Sequence, residues 1–509
     1  MGDAYDDLLD RYERITALED AGGVLYWDQQ VTMPEGGTPA RSQQLSALST
    51  VTHERLTADE LADSLDAADG EDLDDDQRAV VREIRREHER AANVPEELVA
   101  EHARLQSEAQ DDWREAREND DFSAFQPILA ELLDVRVERA EAIDPSRDPY
   151  EVMFEDDEPY LGLDTVERIF EELKSGLVPL IEDIRASEDP PTVFEVSASE
   201  SSGGSEDASS GGTFDTDAQR ALSEDALDLL GYDWERGRLD VSTHPFTAGT
   251  QFDARVTTRF DETDPLGAIG STIHEFGHAA YNLGLPRDHY GSPLGKSRSS
   301  GVHESQSRFW ENHVGRTREF WELFLPTVKE RFPQLSDVTP EEAYRAANRV
   351  DTDNCIRTAA DEVTYHMHII LRSEIEREFV SGDLDVSEIP AAWDDKMERY
   401  LGVRPDTDTE GCLQDIHWTG RFAGFQNYTV GSVLAAQLWA AVEDDLDDPR
   451  GLIRAGNFDP LHEWFRENVH SHGQRYTTDE LIRQATGEDL TADYFLDYVT
   501  EKYGEIYDL

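Results

Sequence analysis

His274-Glu275-Phe276-Gly277-His278 lies inside a run, residues 264 to 284, that reads as a single helix. Asp264-Pro265 supplies an N-cap followed by proline at the first helical position. Ala268, Ile269, Thr272, Ile273, Phe276 and Ala280 give apolar cover, and Gly284 with Pro286 stops the run. Two histidines four residues apart sit one turn apart on the same face. Both imidazoles can then reach one metal ion at about 2.0–2.1 Å. Glu275 follows the first histidine and points elsewhere, bordering the site, where it suits a base acting on a metal-bound water. Gly277 costs about 1 kcal/mol relative to alanine inside a helix. Either another backbone approaches closely there or the glycine is simply tolerated.

A catalytic reading needs a third ligand; without one, the pattern is also met by two solvated histidines on an acidic helix. The continuation that supplies a third histidine requires glycine at position 281 and histidine at 284, where this chain has Tyr281 and Gly284. The remaining option is a carboxylate from a following helix. Leu285 to Gly301, rich in Gly, Pro and Ser, reads as a surface loop. Beyond it, Glu304, Ser307, Arg308, Glu311 and Asn312 alternate with Phe309, Trp310 and Val314 on a second helix. Returning past the first helix, it would bring Glu304 beside the two histidines. Two His and one Glu leave the fourth zinc position open, the mark of a catalytic centre.

The composition sets outer limits. The chain has 509 residues, 38% of them hydrophobic, enough for a large core. Acidic residues number 112 against 46 basic ones, a net charge of −66 that disfavours nucleic acid and anionic membranes as partners. The five lysines are Lys174, Lys296, Lys329, Lys396 and Lys502. Such acidity with so little lysine resembles proteins of salt-loving archaea, where multimolar salt cuts the Debye length to about 3 Å or less. Aromatic residues at 9% argue against an acidic disordered chain. Cys355 and Cys412 form neither a disulfide framework nor a CxxC metal site, and read as buried free thiols. The first residues lack a basic, then apolar, signal pattern, and no apolar run approaches a membrane span, so a cytoplasmic location is expected.

Helical periodicity dominates the rest. Residues 75–92, 96–118, 125–143 and 164–186 read as long helices. Residues 197–213 are a low-complexity, Ser- and Gly-rich acidic insertion, expected to be loosely held. Between 237 and 260 the pattern changes, and Arg255 to Phe260 has strand character just before the metal helix. The expectation is one mainly α unit with a very small β-sheet beside that helix.

Other residues could hold and polarise a peptide. Ile356-Arg357-Thr358-Ala359-Ala360-Asp361 reads as part of a helical run, with Arg357 either salt-bridged in the core or gripping a carboxylate through its planar fork. Gly411-Cys412-Leu413-Gln414-Asp415-Ile416-His417-Trp418 concentrates polar groups that need partners, a substrate backbone among them. Tyr428 could donate its hydroxyl to a developing oxyanion or be an ordinary core tyrosine. His366 and His368, two apart on a helix, point different ways and do not form a second metal pair.

Taken together these pieces resemble the carboxypeptidase Taq family of zinc metallocarboxypeptidases. The matching motifs run in order: Tyr26-Trp27-Asp28 with Met33-Pro34, His244-Pro245-Phe246, Asp253-Ala254-Arg255-Val256-Thr257, the metal helix, His303-Glu304-Ser305-Gln306, Ile356 to Asp361, and Gly411 to Trp418. His470-Ser471-His472-Gly473 and Ala485-Thr486-Gly487 extend the likeness to nearly the whole chain. The resemblance implies a large helical fold with a deep groove, one wall formed by residues 1–186 and the catalytic part by 237–509, and a homodimer. It implies release of single amino acids from peptide C-termini, with broad specificity and poor cleavage next to proline. It supports His274, His278 and Glu304 as ligands to one zinc ion, with cobalt a possible substitute, and Glu275 as base. Arg357 would bind the terminal carboxylate, with Arg255 and Gln414 as further substrate-binding candidates, and Tyr428 with His417 would steady the oxyanion. Where the family often has Tyr-Phe-Pro-Thr-Tyr, this chain has Gly424-Phe425-Gln426-Asn427-Tyr428, so side-chain preference is expected to differ. A zinc endo- or oligopeptidase using the same ligands is the nearer alternative, and a non-catalytic peptide-binding protein the remote one.

Overall fold

The computed structural model describes residues 3–187, 191 and 214–509; the expected insertion at 197–213 lies outside them. Long helices form where the periodicity predicts: Asp75–Ala92, Glu96–Asn119, Phe122–Ile143 and Leu163–Ala186. The third starts three residues earlier than expected because Asp121 caps it, accepting a hydrogen bond from Ser123 N. Most of the interior is one continuous apolar core. A smaller core joins Leu8, Tyr12, Ile15, Leu61, Leu65 and Ile84 of the first helices to Leu294.

The sheet has three strands, β1 (Gly237–Val241), β2 (Thr247–Gly249) and β3 (Ala254–Thr258), in the order β1-β3-β2. β3 pairs with β1 in parallel and with β2 antiparallel. Its inner residues Ala254, Val256, Thr257 and Thr258 are buried, and Thr258 meets Ser271 on the metal helix, Oγ1 to Oγ, at 2.7 Å. That helix, Pro265–Gly284, begins as expected: Asp264 Oδ1 accepts from the amides of Leu266 and Gly267 at 3.0 and 3.1 Å.

Gly277 answers the question its position raised. A Cβ there would lie 2.5 Å from Gln306 O and 2.6 Å from Ser307 Cα, on the helix Ser300–Arg308. On that helix's other side, a Cβ on Gly431 of the helix Gln426–Asp445 would lie 2.5 Å from Glu304 Cβ. Two glycines thus let three helices close to near-contact around Glu304. Overpacking costs about 1–3 kcal/mol, and backbone atoms at such distances cannot yield cheaply. Gly277→Ala should therefore destabilise by about 2 kcal/mol despite its better helix propensity. A shift of the denaturation midpoint at unchanged slope checks this; an unshifted midpoint contradicts it.

Three local expectations need correction. Residues 285–301 are a surface loop only in part: 287–290 are exposed, whereas 291–295, 298 and 299 are buried. They form two short 3₁₀ turns, Arg287–His289 at the surface and Pro293–Gly295 in the interior. Distant side chains satisfy the backbone: Gln251 Nε2 donates to Gly295 O at 2.6 Å, and Tyr281 OH accepts from Arg298 N at 3.1 Å. Arg298 itself is 2% exposed and pairs with Glu83 at 2.8 Å. Second, the Glu304 helix does not continue as an α-helix; Phe309–Gly315 widens into a π-helix. Third, Ile356 to Asp361 is no helical run but a single 3₁₀ turn, Arg357–Ala359, between extended residues.

Candidate metal centre and substrate cleft

The metal helix and the Glu304 helix cross so that one atom each from His274, His278 and Glu304 lies within 4.8 Å of the others. Among the described residues this is the one such group of three or more potential ligands. Glu304 Oε2 stands 3.4 Å from His278 Nε2 and 3.9 Å from His274 Nε2. The far side of each ring fixes its tautomer. His278 Nδ1 is 3.1 Å from His303 O, a carbonyl that can only accept, so Nδ1 carries the proton. His274 Nδ1 faces Glu311 Oε2 at 2.8 Å. Burial works against the Glu311 carboxylate, but Arg316 and then Arg308 hold its pKa well below the usual range, so it accepts too. Both Nε2 lone pairs are therefore left facing Glu304 Oε2. Two imidazole nitrogens and one carboxylate oxygen around a common point fit a borderline divalent ion.

Electrostatics reinforce this arrangement. Burial would raise the Glu304 pKa, but the charges of Arg308 and His274 keep it well below the ordinary value. Burial alone would lower the His274 pKa; the Glu304 charge and the Glu311 hydrogen bond outweigh it, leaving the ring more basic than usual. Glu275, 5% exposed, has its Oε2 held by a 2.7 Å hydrogen bond from Thr247 Oγ1 on β2.

The centre opens into a cleft of about 1850 Å³. His274 and Glu304 line it together with Arg357, Gln414, His417 and Tyr428, and Trp113 reaches it from the helix Glu96–Asn119. Arg357 is salt-bridged, one of the two readings the sequence offers, and it also lines the cleft. It is 8% exposed, and its Nε and Nη2 meet Asp415 Oδ1 at 3.0 and 2.6 Å, yet Nη1 meets only the Tyr365 hydroxyl, at 3.4 Å, among the described residues. Gln414 supports this arginine: Oε1 accepts from Arg357 N at 2.8 Å while Nε2 donates to Cys355 O and Glu410 O. Tyr428 OH lies 3.5 Å from His417 Nε2. Burial, helped by Tyr365, pushes the tyrosine up to about 12. It also lowers His417 to about 4, the Asp415 charge notwithstanding.

Residues 7–503, nearly the entire sequence, match the family described as Carboxypeptidase Taq (M32) metallopeptidase. The chain belongs to that family. It is a metallocarboxypeptidase, a hydrolase. Thermostable carboxypeptidase 1 of Pyrococcus furiosus is 38% identical over 502 residues, 97% of each chain. Carboxypeptidase 1 of Bacillus subtilis is 35% identical over 506 residues, 98% of each. The crystal structure of an M32 carboxypeptidase from Deinococcus radiodurans R1 superposes with a TM-score of 0.94 at 37% identity, covering 100% of both chains.

Arg255 is not among the residues lining the cleft. Its guanidinium is held by Asp253 at 2.6 Å and lies 4.3 Å from the Trp27 ring, away from the cleft lining. His366 and His368 are both buried on the helix Tyr365–Ser381, His366 beside Thr429 at 3.1 Å. Cys412 is buried and Cys355 half-buried, both free thiols. Arg308, Glu311, Arg316 and Thr247 were not foreseen as parts of the site. Arg308 and Glu311 stand four and seven residues after Glu304, on the same helical face, and that spacing could have pointed to them.

Proposed function

We propose that His274, His278 and Glu304 hold one zinc ion, which cobalt can replace, and that Glu275 is the base in hydrolysis of a peptide's last amide bond. The observation carrying this reading is the joint placement of three ligand atoms within 4.8 Å of each other and of Arg357 in the cleft that His274 and Glu304 line. When bound, such an ion polarises the scissile carbonyl and lowers the pKa of water. Thr247 holds the Glu275 carboxylate in one orientation, from which it takes the proton of the attacking water and passes it to the leaving amine. Tyr428, still protonated at neutral pH with its pKa near 12, donates its hydroxyl to the developing oxyanion. His417, neutral at that pH, lies within reach of the same hydroxyl. The unspent edge of Arg357 takes the substrate's terminal carboxylate, while Asp415 and Gln414 fix its position.

The reading extends to broad residue preference with poor cleavage next to proline, a homodimer with residues 1–186 forming a groove wall, and a cytoplasmic location. The residue preference and the homodimer follow the family resemblance. A high-salt setting is supported by the net charge of −66. Timed mass spectrometry of a mixed peptide pool in concentrated salt tests the core of it. Single-residue losses from the C-terminus, stopped by a chelator and restored by zinc, are expected; internal cuts would contradict it.

A further inference from the structure

Glu304 is held from two sides. Its Oε2 faces the two histidine Nε2 atoms, whereas Oε1 accepts a 2.7 Å hydrogen bond from Arg308 Nε. The same guanidinium donates through Nη1 to Glu311 Oε2 at 3.2 Å, the oxygen that also holds His274. Its third side is closed by the Tyr365 ring, 4.8 Å from Cζ. Arg308 is thus wedged between two carboxylates and an aromatic face, with little freedom to swing away. The planar fork matches this pair of acceptors in a way a point charge cannot.

We infer that Arg308 is a positioning residue that restricts Glu304 to ligation through one oxygen and thereby biases the centre toward ions content with few ligands. The inference rests on the metal-site reading above. With Oε1 occupied, only Oε2 is available to an ion, and the protein supplies three donor atoms. Zinc is satisfied by four-coordination, three protein ligands and one open position. Manganese favours six oxygen-rich contacts and gains most from a carboxylate that can bind through both oxygens. Arg308 withholds the second oxygen, so it disfavours manganese more than zinc. Its positive charge, by contrast, repels every divalent ion alike. Geometry and charge therefore predict different results: geometry changes the ratio of affinities, charge changes only their common level.

The test uses the full-length chain, stripped of metal and reloaded. Cobalt is the spectroscopic probe, and zinc against manganese competition the thermodynamic one. In R308M, both Glu304 oxygens are free; the visible absorption of the cobalt form should weaken several-fold as coordination rises. The zinc-to-manganese affinity ratio should fall at least about tenfold, equivalent to about 1.4 kcal/mol. R308K keeps the charge without the fork, and the ratio should fall there too. If either variant keeps the wild-type fold by circular dichroism with the wild-type spectrum and ratio, the inference is overturned. Should R308M fail to fold, R308K decides alone. A wild-type chain that takes up no cobalt, or an H274A variant that takes it up as well as wild type, would sink the metal site itself. Those two results separate failure of the site from failure of the positioning role.

Discussion

Glu275→Gln should leave metal content and fold intact while lowering kcat by about 10²–10⁴, the range a positioned general base contributes. The glutamine amide is nearly isosteric, and the 2.7 Å contact with Thr247 Oγ1 can be kept through the amide oxygen. Neither histidine loses its outer partner, because Glu311 and His303 O hold the rings independently of Glu275. The loss should fall on kcat, since a base acts in the transition state and adds little to binding of the ground state. Metal analysis beside steady-state kinetics measures both. A variant holding stoichiometric zinc with near-normal turnover would remove Glu275 from the proposed reaction, and one that loses its zinc would show the residue to be structural.

Arg357→Met should cost about 2–5 kcal/mol in kcat/KM for free-acid peptides, a fall of about 30- to 5000-fold. The fold should tolerate it, because Asp415 would still meet Arg372 Nε at 2.6 Å and so is not left as an unpaired buried charge. The decisive comparison uses each peptide and its C-terminally amidated twin. Wild type should prefer the free acid by about the same factor by which the variant falls, and the variant should treat the two alike. Equal rates in wild type would favour an endo- or oligopeptidase acting through the same ligands.

Much of this centre could be read from the chain because its information is local. The four-residue spacing of His274 and His278 fixes their common face, and Asp264-Pro265 marks where their helix starts. Glu304 followed from the failure of the histidine continuation. What escaped depends on long-range satisfaction of polar groups. Residues 291–299 read as surface loop because nothing nearby reveals that Gln251, Tyr281 and Glu83 will meet their buried backbone and Arg298. The turn bearing Arg357 was misread for a different reason. Asn354 Oδ1 accepts from Ile356 N at 2.9 Å and Asp361 Oδ1 from Val363 N at 2.9 Å, so short side chains compete for amides a helix would have used. Those short polar residues are visible in the sequence, but the apolar residues among them give the stretch a helical pattern. Arg255 stands on β3 as expected, with its guanidinium against Asp253 and the Trp27 ring.

The Glu304 helix is located by the main chains of its neighbours, which approach through Gly277 and Gly431. Side chains elsewhere in the core can be exchanged as sequences diverge, altering volumes and shapes around the centre. Main-chain atoms survive every such exchange. The reach of this ligand is thereby insulated from drift in its surroundings, and the two glycines are where that insulation can be broken.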